Sequence, residues 1–132
     1  MKKYFATLAI VAAAAGLVAA PVEAARPSGE ERLAKLIEGR TAGESRDCIP
    51  GASNDNLTVI DKTAIVYKRG SQVWVNRTKN PENLDEDDIL VIRKFGSSQL
   101  CRTDMITLVD RASGMFSGAL FLADFVPYKK AG

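Results

Sequence analysis

The chain holds two cysteines, Cys48 and Cys101, and no histidine. A thiol can act as a nucleophile, a metal ligand or half of a disulfide, and the other residues present decide between these. A nucleophilic thiol needs a base, and no imidazole is there to supply one. A tetrahedral metal site needs more soft ligands than two thiols so far apart in the chain. What remains is a bond between Cys48 and Cys101, with two free thiols as the competing reading. On the loop-entropy picture, a cross-link closing a loop of this size stabilises a fold by about 4 kcal/mol.

The other groups able to do chemistry are carboxylates and guanidiniums. Leu84-Asp85-Glu86-Asp87-Asp88 places four acidic residues in a row. A calcium loop of the EF-hand type spaces its ligands on alternate positions around a central glycine, which this run does not do. It reads as a solvated loop leading into a strand, and no metal is expected. Arg69, Arg77, Arg93, Lys94 and Arg102 fall on or beside predicted strands. Of these, Arg77, Arg93 and Arg102 are the candidates for contact with an anion or a partner. The plainer reading is that such side chains face solvent and pair with the acidic loop. Trp74 and Tyr67 read as hairpin residues rather than a ligand platform. Asn56-Leu57-Thr58 and Asn76-Arg77-Thr78 match the glycosylation sequon, but the leader described next is bacterial in style. The chain lacks a P-loop, a Rossmann glycine pattern, Gly-x-Ser-x-Gly and Ser-x-x-Lys, so no cofactor is expected.

The first residues set an expectation about compartment. Met1-Lys2-Lys3 is a positive start, residues 8–20 (LAIVAAAAGLVAA) form an uncharged apolar run, and Val22-Glu23-Ala24 fits a small-x-small cleavage site. This is the layout of a secretory signal peptide over residues 1–24. The run is short and alanine-heavy for a membrane anchor, so no stable membrane insertion is expected after cleavage. Export to the periplasm or beyond provides an oxidising environment for the cysteine pair. The whole chain has 18 basic and 16 acidic residues; losing Lys2, Lys3 and Glu23 leaves 16 against 15. A net charge near +1 does not support broad binding to nucleic acid.

The elements that must position these groups are mostly strands. Residues 25–45 read as a lead-in and a short helix: Ser28 caps it, Glu31 reaches back, Leu33, Leu36 and Ile37 share a face, and Gly39 stops it. Residues 46–128 read as one small β domain, with 129–132 as a tail. Strands are predicted at 57–60, 64–68, 72–76, 89–95, 105–109 and 119–126, with Asp110 to Gly118 as a loop. Gly70-Ser71 suits a two-residue hairpin with glycine first, which sets Tyr67 opposite Trp74 and Val66 opposite Val75. Several strands are apolar on both faces. A small barrel-like or rolled antiparallel sheet of about six strands, or a sheet covered by the helix, accounts for that pattern.

The helix ending Leu36-Ile37-Glu38-Gly39-Arg40, Cys48-Ile49-Pro50, Trp74-Val75-Asn76-Arg77, residues 84–91 (LDEDDILV), the segment Phe95 to Cys101, and Phe125-Val126-Pro127-Tyr128 together resemble a family of short exported proteobacterial proteins of unknown function, common in sphingomonads. The resemblance covers residues 33–128. This chain carries an extra serine in Gly96-Ser97-Ser98-Gln99. The resemblance implies export and paired cysteines, and carries no catalytic residue across. The expectation is a non-catalytic periplasmic or secreted binding module whose partner is an envelope protein or ligand. The alternative is a small envelope enzyme using carboxylates, such as Asp85 to Asp88, or a basic pocket around Arg93 and Arg102.

Overall fold

A computed structural model describes residues 16–20, 25–51, 56–94 and 96–131. Most of the predicted leader, residues 1–15 and 21–24, lies outside the described residues, as do 52–55 in the turn-rich stretch before the first long strand. Among the described residues no helix is long and apolar enough to cross a membrane.

One helix, α1 (Gly29–Ile37), is followed by β1 (Arg40–Ala42), β2 (Cys48–Ile49), β3 (Leu57–Ile60), β4 (Ala64–Arg69) and β5 (Gln72–Asn76). A short 3-10 turn (Pro81–Asn83) then leads to β6 (Asp88–Ile92), β7 (Leu100–Cys101), β8 (Met105–Asp110), β9 (Phe116–Phe121) and β10 (Phe125–Lys130). All pairings are antiparallel. The strands form a five-stranded sheet in the order β1-β10-β5-β4-β3, a three-stranded sheet β6-β8-β9 and a two-stranded ribbon β2-β7.

Among the described residues the fold is therefore mainly β with one helix, as expected, but the sheets do not close into a barrel and there are ten strands instead of six. The expected single strand over 119–126 is two strands, broken at Leu122 to Asp124, because Phe121 and Phe125 belong to different sheets. Part of the predicted 110–118 loop is β9. β1 and the end of β10 fall in the segments read as lead-in and tail, and pair with each other.

Local chemistry explains the well-predicted elements. Ser28 Oγ accepts from Glu31 N–H, and Glu31 returns a hydrogen bond to Ser28 N–H, completing the capping box. Gly39 adopts the left-handed conformation after the helix. Gly70 takes positive φ in the β4–β5 hairpin, with Tyr67 opposite Trp74 as predicted.

The strands are apolar on both faces because the five-stranded sheet is covered on both. Ile60, Ala64, Val66, Val73 and Val75 pack against Leu33, Leu36 and Ile37 of α1. On the other face Ile65, Tyr67 and Trp74 pack against Ile106, Leu108 and Leu120 of the smaller sheet, with Ile49, Leu84, Leu100 and Phe125 between them. The result is a helix, a sheet and a second sheet in three layers.

Candidate functional site

The cysteines meet in the ribbon. Cys48 is directly opposite Cys101 in the ladder and bonded to it, 53 residues apart in sequence. Arg102 N–H donates to the Asp47 carbonyl at 2.7 Å, and Cys101 N–H donates to Asp104 Oδ2 at 2.8 Å rather than to Cys48. The cysteines therefore form a non-hydrogen-bonded pair, the position where facing Cα atoms come closest. Their Cα separation is 4.0 Å, inside the limit of about 7 Å for a bridge and just under the usual range. No free cysteine remains. The ribbon's other pair, Ile49 and Leu100, is fully buried, so the disulfide fixes two core side chains.

The three candidate arginines lie on separate elements. Arg77, just after β5, makes a two-pronged contact with Glu30 of α1, at 2.7 and 3.1 Å. That hydrogen bond draws the exposed Glu30 carboxyl below its ordinary value and raises Arg77. Arg102 bridges Asp47 and Asp124. Arg93 extends β6, exposed. The acidic run is solvated as predicted, apart from Leu84, which plugs the core, and Asp88, which opens β6. No cluster of metal-ligating side chains occurs among the described residues.

Two open clefts stand out. One, of about 600 Å³, is lined by Lys79, Arg102, Thr103, Asp104, Phe121 and Asp124. The larger, of about 670 Å³, runs along the seam where the two sheets fail to close. One wall is Leu57, Thr58 and Val59 of β3, the last strand of the large sheet; the other is Asp88, Ile89 and Leu90 of β6, the last strand of the small one. One end of the seam is stitched. Lys62 N–H donates to the Leu84 carbonyl, Glu86 N–H to Asp61 Oδ1 at 2.6 Å, and Arg32 pairs with Glu86 at 2.8 Å. From there β3 and β6 line the open cleft.

Ile89 also begins an apolar surface on the outer face of the small sheet. The ladder sets Ile89 beside Val109 and Phe116, Val91 beside Thr107 and Ala119, and Met105 beside Phe121. No charged side chain stands among these eight. Phe116 is 71% exposed, with Met115 next to it at the hairpin tip, and Phe121, at the far end of β9, is 50% exposed. The tip is ordered by Asp110, whose Oδ1 accepts from Ser113 N–H and Oγ–H, both at 2.7 Å. Those bonds hold its carboxyl below the ordinary value.

The sequence reading singled out Ile89, Met105 and Phe116 only as strand or loop residues. Alternation marked the strands, but which face would stay uncovered depends on the pairing of β6, β8 and β9. No protein-family model, curated protein or solved structure matches the chain.

Proposed function

We propose that this chain is an exported, non-catalytic binding module of the cell envelope, periplasmic or secreted, stabilised by its one disulfide. The observation that carries the proposal is the set of exposed apolar side chains Ile89, Met105, Phe116 and Phe121 on the outer face of the small sheet. Large contiguous apolar patches on soluble domains mark interaction sites. The Cys48–Cys101 bond fits an oxidising compartment. The resemblance to short exported proteobacterial proteins supports the same reading.

A cleft joining the acidic run to Arg93 or Arg102 would favour the enzyme alternative. Glu86, Asp87 and Asp88 line the seam with Arg32 and Arg111, while Arg102 lines the other cleft and Arg93 neither. That separation supports binding over catalysis. The test is a photo-crosslinking side chain at Phe116 in the exported chain. The expected result is an adduct with one discrete protein, lost in Phe121→Asp. The absence of any adduct, or a hydrolytic activity lost on deletion and restored by the pure protein, overturns the reading.

A further inference from the structure

The orientation of the β3 backbone follows from the β4–β5 hairpin. In a two-residue hairpin the residues flanking the turn, Arg69 and Gln72, form a hydrogen-bonded pair. Alternation then directs the N–H and C=O of Tyr67 and Ile65 toward β5, and those of Val66 and Ala64 toward β3. Their β3 partners are Thr58 and Ile60. Thr58 and Ile60 therefore use their backbone groups on β4, and the N–H and C=O of Leu57 and Val59 point into the seam. Beyond β4, β3 has no strand partner among the described residues.

An edge strand with open backbone groups is a template for another strand. Here it borders a cleft of about 670 Å³, within the usual size of ligand sites. The side chains of Leu57, Val59 and Leu90 are only partly buried against the core, so the cleft has apolar wall residues beside its charged ones. Its charge is unbalanced. The lining holds Glu86, Asp87 and Asp88 against Arg32 and Arg111. Arg32 takes up Glu86, and Arg111 reaches the Asp87 carbonyl oxygen rather than its carboxylate. Asp88 is hydrogen-bonded to the neutral Ser117 hydroxyl.

We propose that the seam receives an extended peptide segment of a partner protein, added antiparallel to β3, with apolar side chains toward Leu57, Val59 and Leu90 and a lysine or arginine at Asp87 and Asp88. Backbone pairing with Leu57 and Val59 supplies the affinity, and the acidic rim selects a basic segment. This deepens the binding-module reading and rests on it: the segment fills the seam while the rest of the partner lies over Ile89 and the outer face.

The probe is a library of short random peptides displayed on phage, panned against the oxidised chain. Enriched peptides are expected to alternate apolar residues and carry a basic one. Titrating one of them should give the Leu57 and Val59 amides new protection from hydrogen exchange, while Thr58 and Ile60, already bonded to β4, change little. Val59→Pro removes only an N–H that faces the cleft, a placement tolerated on edge strands; it should keep the melting temperature and weaken binding about tenfold. Asp87→Lys should weaken basic peptides selectively. No enrichment, unchanged affinity in Val59→Pro, or peptides that perturb only Phe116 and Phe121 overturns strand addition. A crosslink at Phe116 whose yield is unchanged across a partner titration in Val59→Pro leaves the binding-module reading standing while removing this one. Should Val59→Pro unfold, exchange protection in the wild-type chain decides alone.

Discussion

Asn76 and Ala123 are joined twice. The Asn76 Nδ2–H donates to the Ala123 carbonyl at 2.7 Å, and its Oδ1 accepts from Ala123 N–H at 3.0 Å. Four residues on, Asn80 repeats the device, donating to the Ala119 carbonyl and accepting from Phe121 N–H. Two amide side chains thus serve as strand substitutes along 119–123, where the chain crosses from one sheet to the other.

Asn76 is fully buried, so Asn76→Ala leaves two backbone groups of Ala123 without partners and opens a small void. The expected loss is about 2–4 kcal/mol by urea denaturation. Asn80 is half-buried, and Asn80→Ala should cost about 1 kcal/mol. With both amide atoms engaged, Asn76 should also remain unglycosylated in the folded chain when expressed in a glycosylating host, as intact mass will show.

Replacing both Cys48 and Cys101 by serine should lower stability by up to about 4 kcal/mol. That corresponds to a fall in melting temperature of more than about 10 °C for a domain of this size. The strand content should be unchanged, because Ile49 and Leu100 keep their places in the core. A double variant that melts with the wild type under oxidising conditions contradicts this.

Gly29, the first residue of α1, lies against the β3–β4 turn. A Cβ there would collide with Thr63 Oγ1 and press on the Asp61 carbonyl. Gly29→Ala, which would stabilise an isolated helix, should instead destabilise this protein by about 1–3 kcal/mol. Chemical denaturation of the single variant beside Gly29→Ala/Thr63→Ala will show partial rescue if the hydroxyl is the obstacle.

Asp110 gives the hairpin tip a pH dependence. Its carboxyl sits below the ordinary 3.8 in the folded chain, chiefly through the Ser113 hydroxyl and amide. The folded state therefore binds that proton less readily than the unfolded one. Its contribution is fully present above about pH 5 and is lost as pH falls through the lowered value. Carboxyl titration followed by NMR should place Asp110 below 3.8, and Ser113→Ala should move it back up.

Glu30 behaves in the same sense at the other side of the molecule. Its carboxyl lies below 4.5 because of the hydrogen bonds from Arg77. Arg77→Gln should raise it toward that value, and added salt should narrow the difference between the two chains, since both groups are exposed.

The local devices were legible in the sequence because each depends on neighbours a few residues apart. The capping box of Ser28 and Glu31, the left-handed Gly39 and the Gly70-Ser71 hairpin all need only short-range geometry. The disulfide was legible for a different reason: with two cysteines and no histidine, chemistry left few other uses. Period-two alternation marked most strands, and apolar residues on both faces signalled cover on both sides. Tertiary structure alone decided where that cover ends. A run such as 119–126 reads as one strand, yet it breaks because Asn76 and Asn80, over 40 residues earlier, bind its backbone as it passes between sheets. Whether the sheets close depends on the pairing order β1-β10-β5-β4-β3 and on the stitching of Asp61 and Lys62 to Leu84 and Glu86. Those long-range contacts leave β3 with no strand partner beyond β4 among the described residues and turn Ile89, Phe116 and Phe121 outward. The same alternating pattern would serve equally in a closed barrel, so the exposed seam is a property of the pairing and not of any one strand.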